Sequence, residues 1–172
     1  MEVIPFQPSF QGEVSRLIVA IQRDEFEIEI TAEQQPDLRD IPAFYQVRNG
    51  NFWVAREAGR IVGTISLLDI GNRQGALRKM FVQREFRGPE SGTAKRLLDV
   101  LLAWADEKGV REIFLGTTAK FLAAQRFYAK HGFGEIAQSA LPPASPIMAV
   151  DTLFFQRRCA VVPDEEGPAT CG

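Results

Sequence analysis

The sequence predicts a single α/β domain in which a mixed sheet of about six to seven strands is flanked by helices. In the first half of the chain, three consecutive segments are rich in β-branched and aromatic residues and are separated by short turns, which is typical of antiparallel strands. They are residues 52–56, 61–69 and 76–82. In the second half, a helical segment lies between two short apolar segments, which predicts a crossover. A chain of 172 residues, 45% of them hydrophobic, is long and apolar enough to bury one core.

Before these strands the sequence predicts one short strand and one helix. Residues 3–6 form the expected strand, and residues 10–23 carry apolar side chains at helical spacing. The apolar positions of this helix are Val14, Leu17, Ile18 and Ile21. Prolines interrupt the next stretch, so only a helical turn or two is expected around residues 37–46.

Two turns join the three strands. Glu57-Ala58-Gly59-Arg60 separates the first two and predicts a hairpin, because glycine supplies the backbone conformation that a tight turn requires. Residues 70–75 contain two glycines and an asparagine, and they predict a second turn into the third strand.

The second half begins with the clearest amphipathic helix in the chain. Its apolar face is formed by Leu97, Leu98, Leu101, Leu102 and Ala105, and Gly109 ends it. A strand at 112–115, a helix at 118–130 and a strand at 133–136 follow, and a last strand is expected at 149–156. We expect one domain over residues 1–160 and a mobile tail over 161–172.

Composition excludes several classes of function. A net charge of −2 provides no basic surface for nucleic acid. No segment reaches the roughly 20 apolar residues of a membrane span, and no basic and apolar leader begins the chain, so a cytoplasmic protein is expected. The two cysteines, Cys159 and Cys171, lack partners at metal-ligand spacing, which predicts free thiols and no metal site.

A turn that can bind phosphate joins the third strand to the long helix. Residues 80–109 combine the end of a strand, an Arg-Gly pair and small residues at the start of a helix. Small residues let an anion approach the backbone, and the first N–H groups of a helix have no partner within it. A plain connection in which glycine only ends one element is an equally good interpretation of this turn alone.

A second motif lies about 40 residues downstream of this turn. Together, the turn and this motif resemble the two motifs of the GNAT superfamily. In that family a strand with an apolar-Val pair runs into R-G-x-G-x-G/A and a helix, and a later helix carries A-x-x-F/L-Y-x-K-x-G-F. The matching residues here are Phe81, Val82, Arg87, Gly88, Gly92, Thr93, Ala94, Ala124, Phe127, Tyr128, Lys130, Gly132 and Phe133. The resemblance implies a GNAT fold, acetyl-CoA as the cosubstrate and N-acetyltransferase activity.

The sequence departs from the family pattern in two places. Pro89-Glu90-Ser91 separates the Arg-Gly pair from the small residues and lengthens the turn. Phe121 stands where the family often has an asparagine that contacts CoA. The first departure changes the expected contacts of the turn, and the second removes one contact with CoA.

The resemblance also implies roles for individual residues. Backbone N–H groups near Phe81 and Val82 would stabilise the oxyanion of acyl transfer, on a strand that splays to admit pantetheine. Tyr128 would be the general acid for the thiolate of CoA, and the alternative is a tyrosine that only packs a helix on the sheet. The remaining residues of the expected CoA site are Arg87, Gly88, Ser91, Gly92, Thr93, Ala94, Lys95, Ala124 and Phe127.

The sequence identifies the general base and the acceptor less clearly than it identifies the CoA site. Glu25 follows the first helix, in a region that lines the acceptor site in the family, and it is therefore a candidate general base. The alternative is that Glu25 is a surface residue that contacts only water. Residues 24–40 carry seven carboxylates against one arginine, which predicts an acidic wall and a cationic small molecule or basic peptide as acceptor. The alternative is that these carboxylates lie on an outer face of the protein and contact only solvent.

Three functions therefore compete. The first is an N-acetyltransferase for a primary amine, and the second is a module of the same fold that binds acyl-CoA without turnover. The third, a structural domain without CoA, requires both motifs to be coincidental. A homodimer is one option for the assembly, and neither nucleic acid nor membrane is expected as a partner.

Overall fold

The computed structural model describes residues 1–119 and 121–159, and they form one seven-stranded sheet with helices on both faces. The strands are β1 (Glu2–Pro5), β2 (Asn51–Glu57), β3 (Arg60–Gly71), β4 (Gln74–Val82), β5 (Glu112–Thr117), β6 (Gly134–Ile136) and β7 (Leu153–Arg158). The helices are α1 (Gln11–Asp24), α2 (Pro36–Arg39), α3 (Ile41–Tyr45), α4 (Thr93–Lys108) and α5 (Leu122–Lys130). The predicted mixed α/β sheet is confirmed.

The sheet has the order β1-β2-β3-β4-β5-β7-β6. The contact between β4 and β5 is parallel, and every other neighbouring pair is antiparallel. The last strand in sequence, β7, therefore lies between β5 and β6 and pairs with both.

Both predicted hairpins form through two-residue turns. Ala58 and Gly59 have φ of 48° and 76°, and Asn72 and Arg73 have φ of 53° and 57°. Positive φ at both central residues matches the right-handed twist of the flanking strands, which is why these tight turns hold β2, β3 and β4 in register.

Alternation along the strands divides the core between the two faces. Phe52 and Val54 pack with α1, α2 and α3, whereas Trp53 and Ala55 pack with α4 and α5. Of the α4 residues predicted to face the core, Leu97, Leu98, Leu101 and Ala105 are fully buried, whereas Leu102 is partly buried. Gly109 ends α4 with φ of 73°. Among the described residues, no helix is long and apolar enough to span a bilayer.

Two predicted boundaries are wrong, and both lie beside the site described below. The helix expected at 118–130 begins only at Leu122, because residues before it form a turn in which Ala119 donates its N–H to Thr152 Oγ1 at 2.9 Å. The last strand begins at Leu153 rather than at residue 149, since Asp151 and Met148 close a turn on each other. Cys159 is buried and free, and the predicted tail at 161–172, with Cys171, lies outside the described residues.

Candidate active site

A gap between β4 and β5 forms the centre of the site. The two strands pair at only three positions, the last of which joins Ala76 to Phe114, although they continue to Val82 and Thr117. Beyond Ala76 the strands diverge and a cavity of about 470 Å³ lies between them. The splayed strand that the family resemblance implies is thus present.

A β-bulge turns β4 away from its regular path at this point. Thr64 of β3 pairs with Phe81 and Ser66 pairs with Arg78, so Lys79 and Met80 together oppose a single residue. Lys79 has φ of 52°, and the carbonyl groups of Arg78 and Lys79 accept hydrogen bonds from Ser66 Oγ and Thr64 Oγ1, each at 2.7 Å. The two buried hydroxyls therefore fix the bulge.

The backbone amide of Val82 points into the gap. Gln83 donates its N–H to Val62 of β3 at 2.8 Å, and neighbouring amides of a strand point to opposite edges. The carbonyl of Val82, on the same edge as its N–H, accepts a hydrogen bond of 2.8 Å from Arg87 Nε. By the same alternation the N–H of Phe81 points towards β3, so Val82 alone of this pair offers its amide to the gap.

Tyr128 reaches the cavity from α5. It is buried among Phe127, Phe133 and Phe155, with ring centroids 5.6–6.2 Å from its own, and its hydroxyl lies 3.6 Å from Met80 Sδ. A thioether is a weak acceptor, so the hydroxyl proton is available to another group. Burial raises the pKa of Tyr128 well above its ordinary value, which keeps the phenol protonated at neutral pH.

The turn after β4 ends in a helix start with free N–H groups. Gly88 and Gly92 have φ of 94° and 62°, and Gly92 is the N-cap of α4. The first backbone hydrogen bond of this helix runs from Arg96 N–H to Gly92 O at 3.0 Å, so the three preceding amides, of residues 93–95, have no partner within the helix. Gly63 lets the helix start approach β3, because a Cβ there would lie 3.4 Å from Thr93 Cγ2 and 3.1 Å from Leu97 Cδ1.

The remaining predicted CoA residues lie around these two features. Ala94 and Phe127 pack partly buried against the core, and Ala124 also lines the cavity. Lys95 Nζ is held 2.6 Å from Asp99 Oδ2 along the exposed side of α4. Ser91 is partly exposed, and Glu90 of the inserted Pro89-Glu90-Ser91 segment is exposed, so water solvates its charge.

Comparison with known proteins identifies the family. The model of the acetyltransferase (GNAT) family matches residues 16–133. The chain belongs to the GNAT acetyltransferase family. Among curated relatives, it is 34% identical over 128 residues to N-acetylaspartate synthetase from Xenopus tropicalis and 29% identical over 126 residues to N-acetyltransferase family 8 member 2 from Rattus norvegicus. These matches cover 71% and 70% of this chain but 46% and 55% of the relatives, so it spans about half their length.

A solved GNAT structure is similar over nearly its whole length. The GNAT acetyltransferase from Staphylococcus aureus Mu50 is 38% identical and superposes with a TM-score of 0.87, covering 92% of this chain and 98% of that one. The gap, the turn and Tyr128 therefore occur in a chain that has the GNAT fold throughout its described residues.

Glu25 does not line the cavity of this GNAT domain. Its carboxylate accepts hydrogen bonds from both terminal nitrogens of Arg87, one of them at 2.8 Å, and lies 3.3 Å from Arg84 Nη2. The hydrogen bond from Arg87 is the main reason that the pKa of Glu25 is lowered. A carboxylate with a lowered pKa in an ion pair is a weak proton acceptor, so this geometry argues against the predicted role as general base.

The acidic wall predicted from residues 24–40 is also absent from the cavity. The residues of that stretch that line it are Phe26 and Ile28, and Phe26 stacks on Phe121, with ring centroids 4.1 Å apart. Among the described residues, the charged side chains that line the cavity are instead Arg78, Lys79 and Asp151. The acidic stretch therefore contributes no carboxylate to the lining of this cavity, and the cationic acceptor stays a prediction.

These three residues were missed for identifiable reasons. Arg78 and Lys79 are consecutive residues of a predicted strand, so their side chains are expected on opposite faces of the sheet, one of them facing solvent. No glycine marks the bulge. Asp151 lies in a segment that the sequence predicts to be the start of the last strand. An Arg-Lys pair beside the apolar-Val motif is the one sequence signal that could have indicated charge in the cavity.

Proposed function

We propose that this chain is an acetyl-CoA-dependent N-acetyltransferase that transfers an acetyl group to a primary amine by direct attack. The observation that carries the proposal is the gap between β4 and β5, whose cavity Tyr128 lines. Strand alternation adds the amide of Val82, which points away from β3 at the end of β4. Membership of the GNAT family supports it.

In this proposal acetyl-CoA binds as the cosubstrate along the gap and the turn. Its pantetheine arm takes the place of the missing ladder hydrogen bonds between β4 and β5. Its diphosphate binds the free N–H groups at the start of α4, where the helix dipole favours an anion. The residues assigned to this site are Phe81, Val82, Arg87, Gly88, Ser91, Gly92, Thr93, Ala94, Lys95, Ala124, Phe127 and Tyr128.

The chemistry requires a new C–N bond and the loss of a C–S bond. The amine nitrogen attacks the thioester carbon, and negative charge develops on the carbonyl oxygen, which the Val82 N–H stabilises. Tyr128 donates its proton to the departing thiolate and regains one from solvent, while the amine nitrogen loses a proton to a base. The raised pKa of Tyr128 suits this role, because a donor must hold its proton until the sulfur leaves.

The acceptor has two candidate classes. The sequence predicts a cationic small molecule or basic peptide, and the similarity to a relative named N-acetylaspartate synthetase adds amino acids. A panel that contains both classes is therefore the appropriate test of activity.

Thiol release from acetyl-CoA, measured across this amine panel with mass spectrometry of the products, tests the proposal. We expect an acetylated amine in at least one case. CoA binding in calorimetry without release of thiol for any amine would instead favour the alternative, a non-catalytic acyl-CoA-binding module. Absence of CoA binding would overturn both.

A further inference from the structure

The bulge in β4 places two adjacent cations on the same face of the sheet. In a regular strand neighbouring side chains alternate, but an extra residue interrupts that alternation. Arg78 lies over the ring of Phe44 at 5.9 Å, and Lys79 Nζ lies 2.6 Å from Gln35 Oε1, both on the side covered by α1, α2 and α3. Met80 faces the other side, where it contacts Tyr128. The cavity therefore has a cationic side that is distinct from the side of Tyr128.

Lys79 is buried and is held by two acceptors within the protein. It is 8% exposed, and its ammonium also lies 3.4 Å from Asp37 Oδ2. Gln35 is itself fixed by reciprocal amide hydrogen bonds with Gln22, at 2.9 and 3.1 Å. Lys79 and Asp37 therefore form a buried pair whose geometry is set by neighbouring side chains.

Arg78 is less completely paired. It shares the same Asp37 oxygen at 3.9 Å, beyond hydrogen-bond distance, and that oxygen already accepts the Tyr45 hydroxyl at 2.5 Å. Within the described part of the chain, the hydrogen bond that Arg78 makes is to a thioether, Met148 Sδ, at 3.6 Å. A largely buried guanidinium with five N–H donors and one weak acceptor has donors available for an anion.

A carboxylate lies elsewhere on the cavity wall. Asp151 is half-buried, and its Oδ2 accepts the N–H of Met148 at 2.9 Å. It packs against Gly116 of β5 so closely that a Cβ there would lie 2.5 Å from Oδ2. Burial raises the pKa of Asp151, while the charge of Arg78 lowers it. The cavity thus presents one cation with free donors and one carboxylate with raised proton affinity.

We propose that the acceptor is a small amine that also carries a carboxylate, such as an amino acid, with its carboxylate on Arg78 and its amino group towards Asp151. This inference rests on the proposed acetyltransferase function. The bound ammonium first loses one proton to solvent, and the amine then forms the C–N bond as Asp151 accepts its second proton. Tyr128 supplies the proton that the thiolate gains as the C–S bond breaks, so the products are the N-acetylated acid and CoA.

Acceptor pairs that differ only in the carboxylate test the inference. Glycine, alanine, aspartate and glutamate are compared, at saturating acetyl-CoA, with amines in which every carboxylate is replaced by an amide or removed. We expect kcat/KM to be about tenfold to a hundredfold higher for the free acids, because a charge-assisted bidentate contact is lost in the others. Equal rates for acids and amides, or a preference for polyamines or basic peptides, overturn the inference but leave the proposed activity intact. Failure of every amine in the panel to release thiol overturns the activity itself.

Variants of Arg78 test whether this residue binds the carboxylate of the acceptor. Arg78→Met should raise KM for the carboxylate acceptor about tenfold or more without changing KM for acetyl-CoA, and Arg78→Lys should recover part of the loss. Arg39→Met is the matched control, because it removes the same charge from an exposed position on α2. Asp151→Asn should lower kcat about tenfold or more with a smaller change in KM. Thermal melting identifies any variant that fails to fold, and a folded Arg78→Met protein with unchanged acceptor KM contradicts the assignment. If Arg78→Met does not fold, the comparison of acids with amides decides the inference.

Discussion

Glu25 binds Arg87 through both oxygens of its carboxylate and thereby joins the end of α1 to the turn before α4. The two residues are 62 positions apart in the sequence. Arg87 also holds the carbonyl of Val82, at the edge of the gap. Arg87, one of the residues proposed for the CoA site, is therefore held by a protein carboxylate.

Removing that carboxylate charge should strengthen CoA binding. In Glu25→Gln, Arg87 is freed for the diphosphate and a nearby negative charge is lost, so we expect the Kd for CoA to fall about twofold to tenfold at low salt. Isothermal titration calorimetry measures it. Glu33→Gln, at an exposed position, makes the same charge change as a control. A weaker affinity in Glu25→Gln would mean that Glu25 orients Arg87 for the ligand and does not compete with it.

The same ion pair should make stability depend on pH in one direction. The pKa of Glu25 in the folded state lies below its ordinary value near 4.5. The pair therefore stabilises the folded protein above that value, and the contribution is lost as pH falls through the folded-state pKa. Arg87 is substantially exposed, so we expect the wild type to exceed Glu25→Gln by only about 0.5–1 kcal/mol at neutral pH and by nothing in acid. Urea unfolding at the two pH values decides this, and a difference that grows in acid would contradict it.

Tyr128→Phe should separate chemistry from packing. The ring and its contacts with Phe133 and Phe155 are kept, and the hydrogen bond that the hydroxyl loses within the described residues is to a thioether, so melting temperature should barely change. We expect kcat to fall about tenfold to a thousandfold with little change in CoA affinity. Steady-state thiol release and calorimetry measure the two quantities. If kcat is unaffected, another group or water protonates the thiolate.

Two substitutions of similar shape at Gly92 should isolate the effect of charge at the helix start. Asn and Asp bear the same strain at φ of 62°, but only Asp adds a negative charge beside the free amides of α4. Gly92→Asp should therefore weaken CoA binding about tenfold more than Gly92→Asn does. Thermal melting of both proteins with and without CoA provides the measurement. Equal losses in the two variants would place the diphosphate elsewhere.

The sequence was sufficient for elements whose signal is local. The apolar face of α4 with its Gly109 stop, and the tight turns at Ala58-Gly59 and Asn72-Arg73, depend on periodicity and turn chemistry within a few residues. The fold followed from these, and the place of Tyr128 followed from its motif.

The charges of the site depend on long-range packing and could not be predicted in this way. The bulge at Lys79 is fixed by hydroxyls of β3 and has no glycine to mark it. The partner of Glu25 lies in another part of the chain, and Asp151 depends on a turn that packs against Gly116. The acidic composition over residues 24–40 therefore did not indicate which charged side chains line the cavity.

The position of β7 has a consequence for biosynthesis. Until residues 153–158 have left the ribosome, β5 lacks its antiparallel neighbour and β6 has no strand to join. The nascent chain then exposes unpaired strand edges next to Tyr128, the buried residue of α5, which is a condition that promotes aggregation. The wall of the cavity that contains Asp151 immediately precedes β7, so the site is completed only as the last strand inserts. Premature termination before Leu153 should therefore give an aggregating product rather than a partly active one.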